Sequence, residues 1–259
     1  MGNAIDKIDE GLYLGNKVGS SHKEFLEENG ITHILNVCYE PCKFEKDYTY
    51  LHIPYYDSPH AFMLENFQKF YAFISEALSE KNNNVFVHCA AGVSRSGTAV
   101  VSYLMKSRNW GFETAFNYVK TKRSVVQPKV FFQRQLNLWK DLNYELEGTT
   151  SHHKVYNQLK LINNVFKCFG PIEKPISETS QRFEAALQMI DHLANQENGL
   201  IDEQTEVKLR LLVEQENKDL DKLIEKSTKE RIWPDFTIND FKQDNFYLNF
   251  VFPFIQFAK

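Results

Sequence analysis

The feature that most constrains this chain is a short apolar run that leads directly into a loop of small residues. Residues 85–88 read VFVH, residues 89–97 read CAAGVSRSG, and a helical pattern extends from residue 96 to 108. A continuous apolar run of this length is typical of a strand that is buried on both faces of a parallel sheet. The segment therefore predicts an α/β domain in which residues 85–88 form a central strand and helices cover the sheet.

The same alternation of strands and helices extends over residues 1–147. Further strands are predicted at residues 11–15, 31–37 and 48–54, the first of them at an edge of the sheet. Helices are predicted at residues 21–29, 62–81, 112–122 and 128–146. Together these elements predict a central, mostly parallel sheet that is flanked by helices.

The character of the chain changes after Gly148. Residues 149–153 are polar and are expected to form a linker, and further helices are predicted at 155–169, 177–198 and 202–231. The stretch 236–259 holds eight aromatic residues, which we expect to pack against the rest of the chain. An exposed patch that touches a membrane or a partner is the alternative. We predict two domains, residues 1–147 and a mainly helical extension with an aromatic tail, residues 148–259.

The loop after the predicted central strand has the composition of a phosphate-binding site. A tight turn into a helix directs several backbone N–H groups at one point, and the helix N-terminus adds positive potential there. Gly92 permits the turn, and the planar guanidinium of Arg95 can hold two phosphoryl oxygens. The residues expected to bind the phosphoryl group are Ala90, Ala91, Gly92, Val93, Ser94 and Arg95.

Cys89 opens this loop and is the candidate nucleophile. Helix N-termini and neighbouring cations favour the thiolate, which is the reactive form of cysteine. Ser96 is placed to offer its hydroxyl to the sulfur and to assist its departure from a phosphorylated intermediate. His88 is expected to brace the loop by hydrogen bonding and not to act as a base.

Asp57 is the candidate proton donor, because the oxygen that leaves a phosphate ester needs a proton. It follows the predicted strand 48–54 in a segment that reads YYDSP. Taken alone, an aspartate in such a loop is more often a turn residue. The assignment of Asp57 as proton donor therefore depends on its distance from Cys89 in a family pattern and not on its local sequence.

Residues 88–96 resemble the signature of protein tyrosine phosphatases, and the spacing His-Cys-x-x-Gly-x-Ser-Arg-Ser is similar to that of the dual-specificity branch. The segments 12–15 and 31–37 match that branch in order, as do Asp57, Arg123, Pro128 and 132–136. The resemblance covers about residues 1–147. The start Met1-Gly2-Asn3 is similar to that of the small N-myristoylated members.

The resemblance implies a five-stranded sheet and a two-step reaction with a phosphocysteine at Cys89. Asp57 would first act as an acid and then as a base that activates water. No metal and no cofactor would be needed. The expected substrates are phosphotyrosine, phosphoserine and phosphothreonine in proteins, among them signalling kinases.

Two other functions remain open at this stage. One is a protein that captures phosphoproteins without turnover, which loss of Cys89, Arg95 or Asp57 would indicate; all three are present. The other is a phosphatase for lipid or RNA 5′ phosphates. Phosphoinositide phosphatases of the superfamily carry lysines inside the loop, where this chain has alanines and a valine. The sequence Trp233-Pro234-Asp235 resembles the acid loop of tyrosine-specific enzymes but follows Cys89, so we interpret it as coincidence.

Composition narrows the class of protein and its expected location. The net charge is −4 and no cluster of lysine and arginine is present, which argues against nucleic acid as a partner. No apolar run is long enough to span a bilayer and no signal peptide is visible, so we expect a cytoplasmic protein with four free cysteines. Gly2 is a candidate for myristoylation, which would give weak, partial membrane contact; an unmodified terminus is the alternative.

Overall fold

The computed structural model describes residues 3–57, 61–168 and 207. One compact unit contains Met1–His153 and a second begins at Lys154. The domain boundary placed after residue 147 stays a prediction. Gly2, the helices predicted at 177–198 and 202–231, the aromatic tail and Trp233-Pro234-Asp235 lie outside the described residues.

The first unit contains a five-stranded sheet with the order β1-β2-β5-β3-β4. Only the pair β1–β2 is antiparallel, so the prediction of a mostly parallel five-stranded sheet is confirmed. The strands are β1 Ile5–Asp9, β2 Leu12–Asn16, β3 His33–Asn36, β4 Thr49–His52 and β5 Val85–Cys89. Every residue of β5 is buried and the strand lies in the middle of the sheet, as its apolar sequence predicts.

The prediction that the strand near residues 11–15 forms an edge is wrong. β2 lies between β1 and β5, and β1 is the edge strand. Ile5 pairs with Gly15 and Asp6 with Leu14 in the antiparallel ladder. The sequence of β1, IDKID, carries three charges in five residues, so it has no apolar pattern to indicate a strand. Charged side chains suit an edge strand because they discourage pairing with another chain.

Six α-helices are described: α1 Lys23–Glu28, α2 Phe67–Leu78, α3 Arg95–Arg108, α4 Phe112–Lys122, α5 Val130–Asp141 and α6 Ser151–Cys168. Short 3₁₀ turns at Gly19–Ser21 and Met63–Asn66 precede α1 and α2. In the described part of the chain, no helix is both long and apolar enough to cross a membrane.

Three helices differ from the predicted limits. α2 extends over Phe67–Leu78 and not over residues 62–81, because Met63–Asn66 form a 3₁₀ turn before it. α5 ends at Asp141 and not near residue 146, because Asn143 and Tyr144 adopt left-handed backbone angles. The hydroxyl of Tyr144 donates to the carbonyl of Trp110 over 2.7 Å, which fixes this turn. α6 begins at Ser151, inside the stretch that polarity alone suggested as a linker.

The core surrounds the central strand. One cluster is formed by Tyr13, Leu26, Ile31, Ile34, Tyr48 and Phe86. Helix α3 packs against β5 and β2 and also against α2, α4 and α5. Phe67 of α2 is fully buried, with its ring 6.2 Å from that of Phe70 and 5.9 Å from that of Trp139. The loop that joins β5 to α3 is thus anchored at both ends in elements that pack in the core.

Truncation of Phe67 should show how much stability this core supplies. Phe67→Ala removes a fully buried ring and leaves a cavity, so the free energy of unfolding should fall by about 3–5 kcal/mol. Urea unfolding measures the loss. The same substitution at the exposed Phe25 is the control and should cost less than about 1 kcal/mol. Equal losses at the two positions would contradict this account of the core.

Candidate active site

The loop between β5 and α3 places Cys89 beneath an anion-binding cradle. Cys89 is the last residue of β5 and Arg95 is the first of α3. Two donors approach its sulfur: the N–H of Gly92 at 3.3 Å and the hydroxyl of Ser96 at 3.2 Å. Cys89 is only 2% exposed, so these contacts are shielded from bulk water. Donors on both sides of the sulfur stabilise negative charge there.

The cradle forms because the carbonyl groups of the loop are held on its outer side. The three contacts are Lys17 N–H to Ala90 O at 3.3 Å, Arg123 Nε to Gly92 O at 2.8 Å and Gln127 N–H to Val93 O at 3.1 Å. In a trans peptide, the C=O and the following N–H point in opposite directions. The N–H groups that follow these carbonyls therefore face the inner side of the loop, where they can bind one anion.

Only glycine fits at position 92 of this turn. Its φ of +68° lies in the left-handed region, which side chains disfavour. A Cβ at this position would lie 2.5 Å from the carbonyl oxygen of Gly15 and 2.7 Å from Nη2 of Arg123. Both the backbone angle and the close approach of β2 therefore require glycine.

One N–H group of the Arg95 guanidinium is hydrogen-bonded to the protein, and a second N–H group is available for a ligand. Its Nη1 donates to the carbonyl of Tyr55 at 2.7 Å. Its Nε is buried and has no hydrogen-bond partner among the described residues. A buried guanidinium N–H without an acceptor is costly, and a phosphoryl oxygen would satisfy it. The role of Arg95 as a phosphate clamp stays a prediction.

Asp57 lies against the same loop, although 32 residues separate it from Cys89 (89 − 57). Its Oδ1 accepts from the hydroxyl of Ser94 at 2.8 Å, and its carbonyl accepts from Nζ of Lys129 at 3.2 Å. The hydroxyl of Ser94 also accepts from the N–H of Lys129 at 3.3 Å. Three separate segments therefore meet at Asp57. Its side chain is 30% exposed, and its Oδ2 lies 3.9 Å from Nζ of Lys129.

The family "Dual specificity phosphatase, catalytic domain" matches residues 12–142, which is half of the chain. The chain belongs to the dual specificity phosphatase family.

Two curated relatives illustrate the match. Dual specificity protein phosphatase 22-A of Danio rerio is 42% identical over 136 residues, which is 52% of this chain and 65% of that protein. Dual specificity protein phosphatase MPK-4 of Drosophila melanogaster is 36% identical over 59% of this chain and 40% of its own length. The chain therefore spans less than two thirds of both relatives.

Solved structures show the same fold. The crystal structure of DUSP15 superposes with a TM-score of 0.52 and 31% identity, over 61% of this chain and 96% of that one. The crystal structure of human tyrosine phosphatase-like serine/threonine/tyrosine-interacting protein gives a TM-score of 0.52 and 28% identity, over 54% and 98%. The sheet and its flanking helices are thus those of dual specificity phosphatases.

His88 is buried on β5, with its ring stacked on that of Phe86 at 5.5 Å. Burial lowers the pKa of His88 to about 4, and a hydrogen bond with the backbone of Cys89 opposes this only in part. The ring is therefore neutral at pH 7 and brings no positive charge to the sulfur. A hydrogen bond to the loop backbone is what the predicted bracing role requires, and that role stays a prediction.

Three residues near the site were not assigned contacts from the sequence. Lys129 holds the backbone of Asp57, and Asp6 pairs with the buried Arg123. Arg123 appears in the sequence only as part of the family pattern, and nothing in the pattern indicates that it supports Gly92. No local signal could have found Lys129 or Asp6, because their partners are distant in sequence.

The described cysteine side chains are free thiols: Cys38, Cys42 and Cys89. Burial raises the pKa of Cys38, which therefore stays protonated. Within residues 3–57, 61–168 and 207, no group of three His, Cys, Asp or Glu side chains could hold a metal ion.

The burial of His88 predicts a specific pH dependence of stability. Between pH 6.5 and about 4, this histidine binds a proton in the unfolded chain but not in the folded one. The free energy of unfolding should therefore fall by up to about 1.4 kcal/mol per pH unit as the pH drops through this range. Above pH 6.5 this contribution is fully present.

Urea unfolding at several pH values, compared with His88→Gln, isolates this contribution. The variant should be less stable at pH 7.5, because the buried ring is lost. Its loss of stability between pH 6.5 and 4 should be shallower than that of the wild type. Parallel pH curves for the two proteins would contradict the assignment.

Proposed function

We propose that the chain is a protein phosphatase that hydrolyses phosphotyrosine and phosphoserine or phosphothreonine through a phosphocysteine at Cys89. The observation that carries the proposal is the meeting of three groups at one loop. A sulfur with two donors lies at its base, Arg95 presents a buried Nε that has no partner in the described part of the chain, and Asp57 accepts from Ser94. Membership of the dual specificity phosphatase family supports it.

In the first step, the thiolate of Cys89 attacks phosphorus and the bond from phosphorus to the substrate oxygen breaks. Asp57 donates a proton to that oxygen, so that it leaves as a neutral hydroxyl. The inward N–H groups and Arg95 hold the remaining phosphoryl oxygens, where charge develops in the transition state. Ser94 donates to Oδ1 of Asp57, so Oδ2, which lies 3.9 Å from Nζ of Lys129, is the oxygen that would carry the proton.

In the second step, water attacks the phosphocysteine and Asp57 accepts its proton. The sulfur departs as a thiolate, and inorganic phosphate is released. The hydroxyl of Ser96, 3.2 Å from the sulfur, stabilises the departing thiolate. Because the thiolate is regenerated, every group returns to its initial state and no metal or cofactor takes part in these steps.

The composition of the loop supports proteins as substrates. Ala90, Ala91 and Val93 provide no cation to meet a second phosphate, as the head group of a phosphoinositide would require. Signalling kinases are the proposed phosphoprotein substrates. We also propose a cytoplasmic location, with a fraction held weakly at membranes by myristate on Gly2; the sequence Met1-Gly2-Asn3 supports the lipidation alone.

Capture of phosphoproteins without turnover is the second candidate function. A structural relative is called phosphatase-like and interacting. The presence of Cys89, Arg95 and Asp57 in one site favours turnover, because capture alone needs neither a nucleophile nor a proton donor. Activity of the wild type decides between the two.

Cys89→Ser should separate binding from chemistry. A hydroxyl is a far weaker nucleophile at neutral pH, so kcat on an aryl phosphate and on phosphopeptides should fall more than about a thousandfold. Calorimetry should still detect phosphopeptide binding, since the loop donors are unchanged. Residual turnover within about tenfold of the wild type would remove Cys89 from the mechanism. A wild type that binds phosphopeptides without hydrolysing them would favour capture.

Asp57→Asn should reveal the proton donor through its dependence on the leaving group. With a phenol of high pKa as leaving group, kcat should fall by about 10²–10⁴. With a strongly acidic phenol, which leaves without a proton, the loss should be much smaller. Asp47→Asn, an exposed aspartate paired with Lys23, is the control and should change neither rate. An equal loss for both leaving groups would show that Asp57 has another role.

A further inference from the structure

Arg123, the residue that follows α4, carries one of the largest fully buried side chains. Its Nε donates to the carbonyl of Gly92 at 2.8 Å. Its Nη1 donates to the carbonyl of Asn3 at 2.8 Å and to Oδ2 of Asp6 at 2.5 Å. One guanidinium therefore joins the phosphate-binding loop to the N-terminal strand.

The burial of this cation makes Asp6 indispensable to it. The side chain of Arg123 is 1% exposed, and Asp6 is its ion-pair partner within the described part of the chain. The second oxygen of Asp6 accepts from Nδ2 of Asn3 at 2.7 Å, so the carboxylate is held on both sides. Loss of Asp6 would leave a buried charge without compensation, which proteins tolerate poorly.

Gly92 contacts both Arg123 and the sulfur of Cys89. The carbonyl of Gly92 faces Arg123, while its N–H donates to Sγ of Cys89. A shift of Arg123 would therefore release the peptide group between Gly92 and Val93, which directs the N–H of Val93 into the cradle and adjoins the peptide whose N–H points at the sulfur. The left-handed turn at Gly92 also lies against the carbonyl of Gly15, on the strand that pairs with β1.

We propose that Asp6 and Arg123 are positioning residues through which the N-terminal strand sets the shape, and hence the anion affinity, of the phosphate-binding loop. The pair acts through the carbonyl of Gly92 and touches neither the substrate nor the sulfur. This inference rests on the proposed function of the loop as a phosphate site. It adds β1, an edge strand, to the parts of the fold on which that function depends.

A second ion pair on the same strand offers a matched control. Asp9 pairs with Arg108, the last residue of α3. It joins β1 to the end of α3 that lies away from the loop at Arg95. Asp6→Asn and Asp9→Asn thus make the same chemical change on one strand, and only the first removes a contact that leads to Gly92.

The test compares the full chain with both variants. Isothermal calorimetry measures the affinity for inorganic phosphate, steady-state kinetics on an aryl phosphate gives kcat and KM, and urea unfolding gives stability. Both variants should be less stable. Asp6→Asn should weaken phosphate binding by about tenfold to a hundredfold and raise KM, as expected for displaced donors. Asp9→Asn should bind phosphate as the wild type does.

The double variant Asp6→Asn/Arg123→Met separates positioning from stability. It removes the buried charge together with its partner, so stability should recover relative to Asp6→Asn. Phosphate affinity should stay low, because methionine at position 123 offers no donor to the carbonyl of Gly92. This variant also keeps the test decisive if Asp6→Asn does not fold.

Wild-type phosphate affinity in Asp6→Asn or in the double variant would overturn the inference and leave the proposed function standing. An equal loss of affinity in Asp9→Asn would also overturn it, because the effect would then follow strand stability. A wild type that binds no phosphate and hydrolyses no aryl phosphate would overturn the proposed function and the inference with it.

Discussion

The site depends on keeping peptide carbonyl groups away from Cys89. A loop that is to surround an anion with N–H groups must turn its carbonyls outward, and each of these then needs a donor of its own. Here the donors come from the segment after β2, from the end of α4 and from the approach to α5. The surrounding elements therefore do more than enclose a core, since they supply the hydrogen bonds without which the loop would relax.

Asp57 and Arg95 are linked by hydrogen bonds through the loop after β4. Arg95 donates to the carbonyl of Tyr55, two residues before Asp57, and Ser94 donates to Asp57 itself. Tyr55 is held in turn, because its hydroxyl accepts from Nδ2 of Asn66 at 2.6 Å. Arg95 at the start of α3 and Ser94 at its N-cap thus hold both ends of the segment 55–57, which fixes Asp57 relative to Arg95.

The sequence predicted the parts of this site whose geometry is local. Cys89, Arg95 and Ser96 belong to one strand–turn–helix segment, so their spacing alone indicates that they converge. Asp57 required the family resemblance, because an isolated loop aspartate has no distinctive pattern. The contacts of Arg123 with Gly92 and Asp6, and of Lys129 with Asp57, could not be predicted, since they arise from packing between segments 31 to 117 residues apart. The edge strand β1 was missed for a related reason: its charges conceal a strand that exists through pairing with β2.

The hydrogen bond from Arg95 to the carbonyl of Tyr55 has a consequence for the timing of catalysis. A backbone carbonyl carries no ionisable group, and no side-chain substitution at position 55 deletes it, so the orientation of the guanidinium is insensitive to pH and tolerant of sequence drift. The same bond joins clamp and acid mechanically. Withdrawal of the segment 55–57 would free the guanidinium and remove the carboxyl group in a single motion. Release of the product phosphate and the exchange of the Asp57 proton with water would then depend on the same movement.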